Sequence, residues 1–279
     1  MSEAAHEVAL RLAASGSPSP GPEARQLVAH VLGVEVARLI AAAPPTAEQA
    51  AEIERLTARR AAGEPLQHLT GVAYFRHEAL SVGPGVFIPR PETEELVGWA
   101  LRALADRPAG HRRVVELCAG SGAISAALAT EIGGVDLHAV ELSPEAFGYL
   151  ERNLAGRGVR VAQGDMATAF PELDGTVDLV IVNPPYIPAG HRPFLPSDVV
   201  DHEPDLALFS GPDGLDAIRV AAATAGRLLA PGGLFATEHD DSHQDAVIAL
   251  LEERGFGDVR GHRDLAGRPR FVTALGFTS

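Results

Sequence analysis

Val177-Asp178-Leu179-Val180-Ile181-Val182-Asn183-Pro184-Pro185-Tyr186 is a run of mostly β-branched apolar residues that stops at two prolines. Such a run, with little polar alternation, reads as a buried strand of a parallel sheet, because helices cover both faces of that kind of strand. Pro184 and Pro185 have no N–H to give to a ladder, so the strand ends at Asn183. In open α/β sheets ligands bind beyond the carboxyl ends of the strands, which places Asn183 and Tyr186 at a site. Asn183 offers a carbonyl acceptor and an amide donor, and the rigid Pro184-Pro185 step holds a second acceptor, the Pro184 carbonyl. With the flat ring of Tyr186, these two acceptors suit a planar amino or amide nitrogen. A plain proline turn after a strand would carry the same letters, so the flanking chain has to decide.

Around this strand the pattern alternates between strands and helices. Residues 114–117 read as a short strand, Cys118-Ala119-Gly120-Ser121-Gly122 as a glycine-rich turn, and 123–132 as an alanine-rich helix. Residues 137–141 are a second strand, and Ser143-Pro144 opens the next helix as cap and first-turn proline. Residues 159–161 are a third strand and the quoted run is the fourth. A helix over 215–229, a fifth strand over 232–238, a helix over 244–254 and a closing strand pair over 259–262 and 271–276 follow. This order implies an α/β fold, a mostly parallel sheet of seven strands with right-handed crossovers.

The chain ahead of it has a different texture. Residues 1–70 read as helices only, one of them opened by Thr46 with Gln49 three residues on, as in a capping box. Residues 71–90 read as a β-hairpin linker whose turn is Gly83-Pro84-Gly85, between 75–82 and 86–88. Residues 91–279 make the α/β domain. Pro91 fits a first helical turn, and Glu92, Glu94 and Glu95 beside it read as ordinary helix capping.

Composition narrows the function classes. The 279 residues are 46% hydrophobic and carry a formal net charge of −14. That suffices for a large core and a small second domain, and it argues against nucleic acid as a direct partner, which needs clustered Lys and Arg. A lone cysteine, Cys118, excludes an intrachain disulfide and a cysteine-based zinc site. His239, Asp240, Asp241 and His243 read as a solvated loop, and no metal is expected. The N-terminus lacks a basic stretch followed by an apolar core, and the apolar runs are too short to span a bilayer. A cytoplasmic protein without a membrane partner is expected.

The glycine-rich turn lets a ligand approach the backbone where a Cβ would block it. Glu141 lies 21 residues after Gly120, at the end of the second strand, where a carboxylate can take ribose hydroxyls. A dinucleotide site would carry a third glycine where Ser125 stands. Asp165, after the third strand, can accept from an adenine amino group, and Met166 can pack on the ring. Glycine-rich turn, ribose acid and adenine acid together resemble a class I S-adenosylmethionine methyltransferase, Rossmann-like in fold. The tetrad Asn183-Pro184-Pro185-Tyr186 resembles the Asn/Asp-Pro-Pro-Tyr motif of amino- and amide-directed members of that class.

Ile88-Pro89-Arg90-Pro91-Glu92-Thr93-Glu94, Gly120-Ser121-Gly122, Glu141, the tetrad with Ile187-Pro188, and His202-Glu203-Pro204 with Ala207-Leu208 occur in one order along the chain. Gly211, Asp213-Gly214-Leu215 and Asp264-Leu265-Ala266-Gly267-Arg268 continue it, and Pro65 to Gly71 marks the join of helices and hairpin. In this set the sequence resembles the HemK/PrmC family, protein-(glutamine-N5) methyltransferases that act on peptide-chain release factors. The resemblance implies a helical domain that helps seat a bacterial-type class I release factor. It also implies a domain that binds S-adenosyl-L-methionine, releases S-adenosyl-L-homocysteine and methylates the glutamine of a Gly-Gly-Gln loop. By position, Glu116, Cys118, Ala119, Gly120, Ser121, Gly122, Glu141, Asp165, Met166 and Asn183 would line the cofactor, and Asn183, Pro184, Pro185 and Tyr186 would hold the glutamine. A monomer is expected. Glu116 stands in place of the usual aspartate, Cys118-Ala119 in place of a more usual Gly-Thr, and Met166 where an aromatic is common. Residues 238–244 replace a shorter Glu-x-Gly segment. A DNA or RNA amino-methyltransferase could use the same tetrad, but the acidic charge and the missing target-recognition region oppose it. A non-catalytic relative would not need the tetrad.

Overall fold

The strand Val177–Val182 is buried at every position. Leu179 and Ile181 enter one core cluster, Val180 and Val182 another, so its alternate side chains serve opposite faces of the sheet and both faces are covered.

The computed structural model describes residues 2–108 and 112–276, apart from the side chains of residues 197 and 198. The chain begins with α1 (Glu3–Ala14), α2 (Pro20–Leu32), a 3-10 segment (Val36–Ala41), α3 (Ala47–Ala61) and α4 (Leu66–Thr70). A hairpin of β1 (Val72–Phe75) and β2 (Glu78–Ser81) follows, then α5 (Thr93–Ala105). The next elements are β3 (Arg113–Leu117), α6 (Ala123–Glu131), β4 (Asp136–Glu141), α7 (Pro144–Leu154), β5 (Arg160–Gln163) and β6 (Val177–Val182). After α8 (Ser197–His202) and α9 (Asp205–Leu208) come α10 (Asp216–Leu228), β7 (Leu229–Glu238), α11 (Gln244–Glu253), β8 (Gly257–Arg263) and β9 (Pro269–Leu275).

Seven strands form one sheet in the order β5-β4-β3-β6-β7-β9-β8. All neighbours are parallel except β9, which runs antiparallel to β7 and β8. From β3 the chain winds outward through β4 to β5, then returns to lay β6 on the other side of β3. This reversal leaves a crevice at the carboxyl ends of β3 and β6, where open α/β sheets take ligands. The architecture is that of the class I methyltransferases. Leu96, Val97, Ala100 and Leu104 of α5, with Ala126 to Leu128 of α6, cover one face, and Ile218, Ala222 and Ala225 of α10 with Val247 and Leu251 of α11 cover the other.

The chain divides into two compact units, residues 1–72 with 196–202, and residues 73–195 with 203–279. The first has its own core of Leu12, Leu27, Val28 and Leu56. Its α3 starts with the expected reciprocal cap: Gln49 N–H donates to Thr46 Oγ1 at 3.2 Å, and Thr46 N–H to Gln49 Oε1 at 3.0 Å.

The hairpin differs from its sequence reading. Its turn is Arg76-His77, and Gly83-Pro84-Gly85 makes a separate turn closed by Val86 N–H on Gly83 O. Arg76 takes a left-handed φ of 50° that a non-glycine residue rarely adopts. Distant partners hold it there. Its N–H donates to Glu94 Oε1 at 3.0 Å, and its guanidinium donates to both oxygens of Glu131 at 2.5 and 2.6 Å. The α5 helix starts at Thr93, after a turn in which Thr93 N–H reaches Arg90 O, so Pro91 stands before the helix.

Candidate active site

The end of β3 turns sharply into α6. Cys118 there has φ 52°, Gly120 55° and Gly122 81°. Gly122 needs its missing Cβ for packing, since one would come 2.8 Å from Leu150 Cδ1. At Gly120 a Cβ would meet nothing within 4 Å. The space beside Gly120 is thus open to a ligand, while the backbone around it is tied down. Ala119 N–H donates to Val140 O at 3.0 Å, and Asn153 of α7 donates to Ser121 O at 2.9 Å while bonding Ser81 of the hairpin through both ends of its amide.

Three carboxylates face this turn from neighbouring strand ends. Glu141, at the end of β4, accepts Gly120 N–H on Oε2 and Ser143 N–H on Oε1, each at 2.8 Å. Glu116, 2% exposed, accepts Ser125 N–H at 2.8 Å, and burial pushes its carboxyl up to about 7. Asp165 is exposed after β5 and accepts Ala167 N–H at 2.8 Å, which caps the short turn carrying Met166. None of the three is in an ion pair among the described residues. A site with open backbone at Gly120 and acids not neutralised by arginine fits a cationic ligand with hydroxyl and amino groups. Cys118 Sγ lies 3.5 Å from Met166 Sδ, and burial first, then the nearby Glu141, Glu116 and Asp165, raises the thiol well above its ordinary range. Cys118 is therefore a packing residue of the turn, not a nucleophile.

Asn183 follows β6 directly. Its Nδ2–H donates to Thr93 Oγ1 at 3.0 Å, and Thr93 O–H donates to Glu238 Oε2 at 2.7 Å. Tyr186 O–H donates to the other oxygen, Glu238 Oε1, at 3.2 Å. The backbone after Tyr186 is pinned as well. Ile187 N–H reaches Leu208 O, Ser210 N–H reaches Ile187 O, and Ala189 N–H reaches Gly211 O, all at 2.9 Å. At Gly214, φ 77°, a Cβ would sit 2.4 Å from Tyr186 O.

Two family models match, the PrmC N-terminal domain over residues 3–71 and a methyltransferase domain over 114–193. A release factor glutamine methyltransferase of Streptomyces coelicolor is 50% identical over 265 residues, 95% of this chain and 94% of that one. The chain belongs to the release factor glutamine methyltransferase family. It is an S-adenosylmethionine-dependent methyltransferase, and S-adenosylmethionine is its methyl donor. A 4-amino-L-phenylalanine/4-methylamino-L-phenylalanine methyltransferase of Streptomyces pristinaespiralis is 45% identical over 200 residues, 71% of this chain and 68% of that one. Among solved structures, the hMettl16 catalytic domain in complex with an MAT2A 3'UTR hairpin has a TM-score of 0.57 at 15% identity, covering 84% of this chain and 83% of that one, a likeness of fold.

Glu116, Cys118 to Gly122, Glu141, Asp165 and Met166 gather at the carboxyl ends of β3, β4 and β5, and Asn183 to Tyr186 stand at the end of β6. Two side chains that the sequence reading did not assign complete the second group. Thr93, quoted in the family set without a role, and Glu238, read as the end of the fifth strand and the start of a variant segment, are 4% and 1% exposed and bonded to each other. Glu238 ends the strand beside β6, so the rule that ligands sit at strand ends would have found it. Thr93 had no local signal, since only the fold brings it against Asn183, 90 positions later. Among the described residues no group of three metal-ligating side chains occurs, and no helix is long and apolar enough to cross a membrane.

Proposed function

We propose that this chain transfers a methyl group from S-adenosylmethionine to the side-chain amide nitrogen of the glutamine in the Gly-Gly-Gln loop of bacterial-type class I release factors, as a cytoplasmic monomer without direct nucleic-acid contact. The observation that carries the reading is the extent of the likeness. It includes the helical residues 3–71, which methyl transfer as such does not need. In this reading the helical residues 1–70 help seat the release factor and the hairpin residues 71–90 join them to the methyltransferase domain, 91–279.

An amide nitrogen is a poor nucleophile, because its lone pair is delocalised into the carbonyl. The cofactor supplies a sulfonium methyl already activated for transfer. What remains for the protein is orientation. Asn183 Oδ1 and the Pro184 carbonyl each accept one N–H of the glutamine amide, and Tyr186 stacks on its plane. The nitrogen gains positive character as it is methylated, so these two dipoles hold the transition state more strongly than the ground state. The spare proton then passes to water. Glu116, Glu141 and Asp165, with the turn Cys118 to Gly122 and Met166, would hold the cofactor. Glu116 would be the counter-charge of its ammonium, and Glu141 and Asp165 would accept hydrogen bonds from its ribose hydroxyls and its adenine amino group.

The test is transfer of labelled methyl to purified release factor, beside a release factor whose loop glutamine is alanine, an oligonucleotide and 4-amino-phenylalanine. Label on the wild-type factor alone is expected. Label on the oligonucleotide or on the arylamine, with none on the factor, overturns the reading.

A further inference from the structure

Glu238 is buried at the end of β7 and both of its oxygens are engaged, one by Thr93 Oγ1 and one by the Tyr186 hydroxyl. Thr93 Oγ1 also lies 3.0 Å from Asn183 Nδ2. A hydroxyl has one proton to give. An ionised Glu238 can only accept, so Thr93 gives its proton to Glu238 and shows lone pairs alone to Asn183. Only the NH2 end of the Asn183 amide fits against lone pairs. Oδ1 is then turned the other way, as an acceptor for the incoming amide. Protonation of Glu238 on Oε2 reverses the chain. The carboxyl donates to Thr93, the Thr93 proton is freed toward Asn183, and the amide is stabilised in the flipped state, with NH2 facing NH2 at the acceptor.

We propose that Thr93 and Glu238 are positioning residues whose hydrogen-bond polarity decides which end of the Asn183 amide faces the methyl acceptor. The inference rests on the proposed amide methylation and deepens it. The groups facing Glu238 come from three sides. Thr93 and Glu92 lie at the start of α5, Tyr186 after β6, and Arg270 on β9. Burial outweighs the stabilising pull of Thr93, Arg270 and Tyr186, Glu92 adds to it, and the carboxyl is pushed up to about 7. The polarity of the chain therefore changes within the working pH range. Tyr186 shares the carboxylate, so the same charge also holds its ring.

The test measures kcat, the KM for release factor and cofactor affinity from about pH 6 to about pH 8.5 in wild type and three variants. Wild-type kcat should rise about tenfold between about pH 6 and about pH 8, as expected for an essential carboxylate titrating near 7. Thr93→Val, which keeps the shape without the hydroxyl, should lower kcat about a hundredfold, reduce the inflection to what Tyr186 alone transmits and leave KM and cofactor affinity within about threefold. Thr93→Ser restores both kcat and the inflection. Glu238→Gln, which does not titrate, should show a kcat without the inflection near pH 7. Wild-type kcat and pH profile in Thr93→Val, or a loss confined to KM or cofactor affinity, overturns the proposal. If Thr93→Val does not fold, Glu238→Gln decides, and a retained inflection near pH 7 overturns it. A wild type that methylates no release factor fails earlier, at the functional reading, before any variant is compared.

Discussion

Asn183 and Glu116 show how one side chain gains its role from its neighbours. The Nδ2 of Asn183 is held by Thr93, so its remaining oxygen is the group available to a substrate. Asn183→Ala should abolish turnover while cofactor affinity, measured by calorimetry, stays within about threefold, since the lost contact acts on the acceptor. A large loss of cofactor binding would instead make Asn183 chiefly a cofactor residue. Glu116 is a carboxyl raised to about 7 by burial, with one backbone N–H as compensation. A bound ammonium lowers it again. Near pH 7 cofactor binding should therefore release roughly half a proton, seen as a dependence of the binding enthalpy on buffer ionisation heat. Glu116→Gln should remove that dependence and weaken binding about tenfold or more. Equal enthalpies in all buffers for the wild type would rule this out.

At the scale of elements, the turn from β3 into α6 separates folding from binding at neighbouring glycines. Both Gly120 and Gly122 are left-handed, but only Gly122 has neighbours where a side chain would be. Gly122→Ala should cost roughly 2–4 kcal/mol, from backbone strain plus overpacking against Leu150 and Leu154, and should appear as a lowered melting temperature. Gly120→Ala should cost about 1–2 kcal/mol of stability, from backbone strain alone, yet lose most cofactor binding, because its Cβ enters the open space. The opposite ranking in paired melting and binding measurements would show that the cofactor does not use that space. Several residues that resembled the family without an evident role have one at this scale. Gly214 lets the chain pass behind Tyr186 and Pro188, Gly211 O accepts Ala189 N–H, Glu203 accepts Arg90 at 2.8 Å and Ile88 N–H at 3.3 Å, and Asp264 closes its own turn and holds Arg270.

For the whole molecule, two buried carboxyls set a pH dependence of stability. Glu116 and Glu238 both have folded values near 7, above their ordinary value of 4.5. The folded state therefore binds these protons more tightly than the unfolded chain. Their contribution is fully present below pH 4.5 and is lost as the pH rises through about 7. Without cofactor, the melting temperature should fall across that window, and Glu238→Gln should flatten part of the slope. A wild-type melting temperature that rises steadily from about pH 5 to about pH 7 would contradict this. The sequence by itself determined the strand-helix order, the end of β6 at two prolines, the glycine-rich turn and the cap at Thr46, because each depends on backbone geometry within a few residues. It also located the acids at the ends of β4 and β5, since strand ends can be read from periodicity. Only the tertiary structure decided the Arg76 turn and the Thr93–Glu238 link. An arginine with left-handed φ and a threonine in a first helical turn have no distinguishing local pattern, and a glutamate legible at a strand end does not show which side chain it will bond. Their states follow from partners 18, 55, 90 and 145 positions away, which the chain meets only when the sheet has closed.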